Sequence, residues 1–243
     1  MRILVVVPVP ITDLDVEKMV RDAYERVKDP GTEFDVVCLD QGVESTETHF
    51  ATDLNLGHVA EVIDRVDEQK YDGVVMFCAE DPGLYGAKER LKIPVVGLLE
   101  PSLHLACMLG RRFSYLTILE STIPLTEHVI QLYDMSSRCA SIRWIGIPAM
   151  QLLANPDKTI QRLVEEGHKA INEDRADILV LGCGNMVGVA DALSEKLGVP
   201  VIDPAVVGFK TCELLVKLKL TQSKKAFPPF RSTMKRAPPR IPK

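Results

Sequence analysis

The stretch "DGVVMFCAED", Asp72 to Asp81, returns 105 residues later as "DILVLGCGNM", Asp177 to Met186. Each copy runs from an Asp through a short apolar stretch to a cysteine six residues on. An apolar run of that length between polar residues is the pattern of a strand buried on both faces of a parallel sheet. The thiol then falls at the strand's carboxyl end, where open α/β sheets gather their ligands.

The same alternation extends in both directions. Val/Ile-rich runs at Ile3–Val7, Phe34–Leu39, Gly73–Phe77 and Pro94–Leu98 precede residue 100, and Ser114–Ile118, Ser141–Ile145, Ile178–Gly182 and Pro200–Ile202 follow it. Between them lie segments of helical period, with faces at Val16/Met19/Val20/Ala23/Val27, Leu56/Val59/Ala60/Ile63/Val66 and Ile160/Leu163/Val164/Gly167/Ile171. The cysteine strand is third in each set of four. "IPVV" at 93–96 corresponds to "VPVI" at 199–202, and Cys107 and Cys212 each lie 29 residues after the paired cysteines. The chain reads as an internal duplication, two α/β units in tandem.

Composition narrows the function classes. The 243 residues are 46% hydrophobic and 26% charged, ordinary for a globular protein with a core. The first apolar run is too short for a signal peptide and no run reaches membrane-spanning length, so a cytoplasmic protein is expected. The net charge of −5 divides into −12 over residues 1–220 and +7 over Thr221–Lys243. An acidic body argues against nucleic acid as the main partner. The Pro-rich basic end, after about residue 230, is expected to be mobile. The six cysteines (38, 78, 107, 139, 183, 212) read as thiols, and five scattered histidines offer no metal site. The expected partner is a small-molecule substrate, with a homo-oligomer compatible and neither nucleic acid nor membrane called for.

Cys78 and Cys183 are the candidate catalytic residues. Asp81-Pro82 reads as the N-cap and first residue of one helix, and Asn185 as the cap of another. A helix N-terminus favours a thiolate, so lowered thiol pKa values are expected. Two thiols on opposite walls of a cleft suit one chemistry, in which one removes a proton from carbon and the other returns one to the opposite face, without a cofactor. The competing reading of any cysteine is a small buried hydrophobe, and Cys38, Cys107, Cys139 and Cys212 take that reading. Glycines 182, 184 and 188 have the wrong spacing for a dinucleotide loop and are read as backbone donors to an anion. Glu80 and Glu100 stand near the site; Glu80 is read as a solvated acid and His104 as structural.

"CAEDPGL" (78–84), "IPVVGLLE" (93–100), "ADILVLGCGNM" (176–186), "LGVPVIDP" (197–204) and "LKLTQSK" (218–224) resemble the aspartate/glutamate/hydantoin racemase superfamily, most of all its hydantoin racemase branch. The resemblance implies two pseudosymmetric Rossmann-like α/β domains with parallel four-stranded sheets and an active site in the cleft between them. It implies a first domain of residues 1–99 plus 206–243 and a second of 100–205. It also implies cofactor-independent two-base racemisation or epimerisation, with Cys78 and Cys183 at the positions of the family's catalytic cysteines. The alternatives are an amino-acid racemase with two cysteines, a cis-trans isomerase or decarboxylase on the same fold, and a non-catalytic binding protein.

The chain departs from the branch in places that face the substrate. "VPVPIT" (7–12) replaces an "NPNTS"-like turn, Ala79-Glu80 replaces an aromatic and a glycine, and Thr117-Ile118 replaces a Thr-Thr pair. The valines imply an apolar substrate group near Val7 and Val9. The candidate substrate contacts are Val9, Thr12, Ala79, Thr117, Gly184 and Asn185, and no metal ligand is expected.

Overall fold

The computed structural model describes residues 1–10 and 14–229. Thr12 and the expected mobile end after about residue 230 lie outside the described residues. The described chain forms β1 (Arg2–Val7), α1 (Leu14–Val27), β2 (Glu33–Cys38), α2 (His49–Asp64), β3 (Gly73–Met76), α3 (Leu84–Arg90), β4 (Val95–Val96) and α4 (Leu99–Leu109). The second set is β5 (Phe113–Thr117), α5 (Ile123–Leu132), β6 (Cys139–Trp144), α6 (Pro156–Asn172), β7 (Ile178–Leu181), α7 (Ala190–Leu197), β8 (Val201–Ile202) and α8 (Pro204–Leu218).

Two parallel four-stranded sheets result, ordered β2-β1-β3-β4 and β6-β5-β7-β8. The second order is the first with each strand advanced by four, so the repeat read in the sequence is also a repeat of topology. Registers agree: Val5 lies between Val36 and Val75, and Tyr115 between Ile142 and Val180. The Asp that opens each quoted stretch has the same task in both halves. Asp72 Oδ2 accepts from the Arg2 amide (2.7 Å), and Asp177 Oδ2 from the Arg111 and Arg112 amides (2.9 and 3.1 Å). Each carboxylate thereby fixes the start of the first strand against the third.

Side-chain alternation along β1 shows why the strands carry uninterrupted apolar runs. Ile3, Val5 and Val7 pack to one face with Phe34, Val75, Ala205, Phe209 and Cys212, while Leu4 and Val6 pack to the other with Val59, Ile63, Met76 and Leu84. In the second half α6 and α7 bring Leu163, Ala170, Leu193 and Leu197 onto one face. The other face belongs to α4, whose Leu99, Leu103 and Ala106 pack on Phe113, Tyr115, Ile178 and Val180. Thus the helix after each fourth strand crosses to the other sheet: α4 covers the second and α8 the first. Among the described residues no helix is long and apolar enough to cross a membrane.

Candidate active site

β3 and β7 are inner strands of their sheets, and the segments that follow their carboxyl ends meet. A cavity of about 90 Å³ lies there, lined by loops that follow six strands. By the rule that one water needs roughly 10–15 Å³, it has room for about six to nine, the size of a small ring compound. Val7, Pro8, Val9 and Pro10 come from the loop after β1, Glu44 to Glu47 from that after β2, and Phe77 to Glu80 from that after β3. The second half contributes Ile118 and Thr122, Ala149 and Met150, and Gly182 to Asn185.

Cys78 and Cys183 both line this cavity, one from each half. Their surroundings are alike. Each sulfur accepts from the backbone N–H two residues on, at Glu80 and at Asn185. Thr46 Oγ1 lies 3.6 Å from the Cys78 sulfur. The expected lowering of thiol pKa is wrong for both. Burial pushes Cys78 and Cys183 up to about 12 each, and the nearby Glu80 carboxyl adds to this against the backbone donors.

The helix starts explain the error. Gly83, at φ 76°, takes the N-cap place of α3, so Asp81 does not cap the helix that follows it. Its carboxylate instead accepts from the amides of Leu98 (2.6 Å), Leu99 (3.0 Å) and Glu100 (2.8 Å), the unsatisfied donors at the start of α4. Gly97 leaves it room, since a Cβ there would come within 2.2 Å of the carboxylate. After Cys183 comes only a 3₁₀ turn, Gly184–Met186, and α7 begins at Ala190, so Asn185 caps no helix. Its side chain donates to the Ala149 carbonyl (3.3 Å).

The other expected contacts divide. Val9, Ala79, Gly184 and Asn185 line the cavity. Gly184 has to be small, because a Cβ would meet the Phe77 ring at 2.6 Å. Thr117 does not line the cavity: it is fully buried and its hydroxyl bonds Thr122 (2.6 Å), which does. By the strand's twofold alternation Thr117 shares the face of Tyr115, and the next residue, Ile118, lines the cavity. Glu80 is no solvated acid. It lines the cavity, accepts from the Thr126 hydroxyl (3.2 Å) through Oε1, and has a buried Oε2 with no partner. Burial pushes its pKa up to about 8. His104 stays structural, its Nδ1 2.7 Å from the Glu100 carbonyl.

Two groups were not foreseen. The first is the "ESTE" loop, Glu44–Glu47, whose Glu47 carboxylate accepts from the Ala149 amide of the other half (2.8 Å). Its place after the second strand was a usable signal. The second is a pair of tyrosines from the second half that hold the Cys78 loop. Tyr115 donates to the Ala79 carbonyl (2.8 Å) and Tyr133 to the Asp81 carboxylate (2.9 Å). Among the described residues, no Lys, Arg or His lines the cavity, and no group of three or more His, Cys, Asp or Glu is placed to hold a metal ion.

Comparison with known proteins agrees with this architecture. Residues 5–212 match the family described as Asp/Glu/Hydantoin racemase. A hydantoin racemase of Pseudomonas sp. (strain NS671) is 35% identical over 215 residues, covering 88% of this chain and 86% of that protein. Among solved structures, an allantoin racemase from Pseudomonas fluorescens superposes with a TM-score of 0.91 at 32% identity, over 98% of this chain and 100% of that one. An allantoin racemase from Klebsiella pneumoniae gives 0.88 at 35% identity, over 97% and 96%. Duplicated sheets, twinned thiols at the third strand ends and similarity over nearly the whole length converge: the chain belongs to the Asp/Glu/hydantoin racemase family and is an isomerase of the racemase kind.

Proposed function

We propose that the protein is a cofactor-independent racemase or epimerase of neutral cyclic ureides, the hydantoin and allantoin class, working by proton transfer between Cys78 and Cys183. The observation that carries this is the matched pair of thiols, one from each half, lining one cavity with the same backbone donor arrangement. One cysteine, as thiolate, takes the proton from the stereocentre, and the electron pair spreads into the adjacent carbonyl as an enolate. The opposite thiol gives its proton to the other face. The turnover ends with thiol and thiolate exchanged, ready for the other enantiomer.

Burial pushes both thiols up to about 12, which makes either thiolate a strong base toward a weak carbon acid. The cavity's charge favours a neutral substrate. Glu44 and Glu47 line it and, among the described residues, no cation does, so the carboxylate of a free amino acid would find no ion partner among them. A cyclic ureide offers uncharged amide and imide edges. The names of the relatives point to the same class.

The test is proton exchange in deuterium oxide with optical rotation followed in parallel, over a panel of hydantoins, allantoin and free amino acids. Deuterium incorporation with loss of rotation is expected for a ureide. Cys78→Ala and Cys183→Ala should each lower the rate by about 10²–10⁴-fold, the usual weight of a general base. Either variant racemising at the wild-type rate overturns the assignment.

A further inference from the structure

The two thiols are matched in place but not in company. Each sulfur accepts a backbone N–H, from Glu80 at Cys78 and from Asn185 at Cys183. Cys78 has a further neighbour that can donate, the Thr46 hydroxyl, whose Oγ1 lies 3.6 Å from its sulfur. Among the described residues no side-chain hydroxyl bonds the Cys183 sulfur. The loop that brings Thr46 to Cys78 sets the Glu47 carboxylate within reach of Cys183 instead, where its charge opposes ionisation.

Thr46 stands on the cavity wall, on the loop between β2 and α2, and that loop is tied on both sides of it. The Thr52 hydroxyl donates to the Thr46 carbonyl (3.3 Å) and the Ser45 hydroxyl accepts from the Glu47 amide (3.1 Å). Glu47 in turn takes the Ala149 amide of the other half (2.8 Å). Among the described residues the Thr46 hydroxyl has no hydrogen-bond partner besides the Cys78 sulfur, so its one hydrogen is free for that sulfur.

The contact changes with the protonation state of Cys78. In the thiol either group can donate. A thiolate only accepts, so there the hydroxyl must donate, and a hydrogen bond to a charged partner is roughly twice as strong as a neutral one. Burial keeps water from the sulfur, which makes each fixed donor count for more. The charged groups around Cys78 oppose its ionisation: the Glu80 carboxyl on its own loop and Cys183 at the end of β7. Tyr115 on β5 stays neutral, since burial holds its pKa well above the ordinary 10.

We propose that Thr46 is a further catalytic residue: its hydroxyl donates to the Cys78 sulfur and holds the thiolate that takes the substrate's proton. This rests on the reading of Cys78 as one of the two bases. Once the sulfur has taken the proton it needs the donor less, so the stabilisation falls mainly on the charged state.

The experiment compares Thr46→Val, which keeps the shape and removes the hydroxyl, with Thr46→Ser, which keeps the hydroxyl. Substrate-free protein is labelled with iodoacetamide at pH 9, and peptide mass spectrometry follows Cys78 and Cys183 in the same sample. Losing one hydrogen bond to a charged group should cut the Cys78 thiolate share about tenfold. The more basic thiolate is also the better nucleophile, with a Brønsted slope of about 0.5, so Cys78 labelling should slow about threefold. Cys183 is the internal reference and should keep its rate. Thr46→Ser should hold the ratio of Cys78 to Cys183 labelling within about twofold of wild type. An unchanged ratio in Thr46→Val, or a Ser variant that labels like the Val variant, overturns the proposal.

A second readout is racemisation of the hydantoin or allantoin that the wild-type protein turns over fastest. Thr46→Val should lower kcat about threefold with KM little changed, and Thr46→Ser should restore it. A raised KM with an unchanged labelling ratio would give the hydroxyl to the substrate and overturn its role at Cys78. Should no ureide be turned over, the reading of the reaction falls, and the labelling ratio still decides whether Thr46 holds the Cys78 thiolate.

Discussion

Cys78 and Cys183 are half-buried, as are Cys38, Cys107 and Cys139, but of the six thiols they alone line the cavity. The thiolate is the reactive form, and at a pKa of about 12 only about one in 10⁵ of each thiol carries it at pH 7. Alkylation by iodoacetamide should therefore be slow at pH 7 and quicken about tenfold per pH unit up to pH 10. Peptide mass spectrometry at fixed times would follow both sites, with activity lost in step. Labelling that is already fast and flat from pH 7 to 9 would mean that the donors at Glu80 and Asn185 outweigh burial. The placement of the two cysteines was legible because six residues separate each from its Asp in both repeats. Their acidity was not, since it depends first on burial and then on groups such as Thr46 beside Cys78 and Glu47 beside Cys183, which chain spacing does not bring to them.

At the scale of elements, one buried side chain joins the loop between β2 and α2 to the loop after β1. Asn55, buried in α2, donates to the carbonyls of Pro8 and Val43 (3.0 Å each) and accepts from the Val43 amide (2.9 Å). It ties the loop carrying Thr46 and Glu47 to the loop carrying Val9. Asn55→Ala leaves these backbone groups unpaired and should cost about 1–3 kcal/mol. For a chain this long each kcal/mol lowers Tm by about 2–4 °C, which calorimetry reads directly. KM should rise as well, because the loops that bring Val9, Thr46 and Glu47 to the cavity lose their anchor. A variant with unchanged Tm and KM would show that the loop is held elsewhere. The expectation read α2 only as an apolar face; a buried Asn on that face was a visible departure whose partners the sequence did not supply.

The whole molecule is interlocked by the exchange of α4 and α8. Without α8, the face of the first sheet formed by Ile3, Val5 and Val75 loses Ala205, Phe209 and Cys212. The segment after α8 returns as a strap over α3: Gln222 donates to the carbonyls of Leu91 (2.8 Å) and Ile93 (2.9 Å), and Lys224 also caps the end of α3. The Lys88 carbonyl, which accepts from Lys224 and Gln222, is one of the unsatisfied acceptors of the last turn of α3. A chain ending at Asp203 should accordingly show no cooperative melting transition, whereas one ending at Phe230 should fold and turn over as the full chain does. Circular dichroism melts and the racemisation assay check both. A cooperative transition in the shorter chain would mean that the first sheet is stable with one face bare.

The sequence by itself determined the architecture: eight buried parallel strands, their division into two like units, and a thiol at the third strand end of each. Those features follow from periodicity and repetition, which are properties of neighbours along the chain. Tertiary structure alone decided the chemistry of the cavity. It turned Asp81 from the helix beside it to one 17 residues on, aimed Thr117 below the surface, and gave Asp81 four donors and Glu80 one. It also raised both thiols by taking them out of water. Desolvation and hydrogen bonding depend on every atom packed around a group. In this protein those atoms come from six loops spread over both halves of the chain.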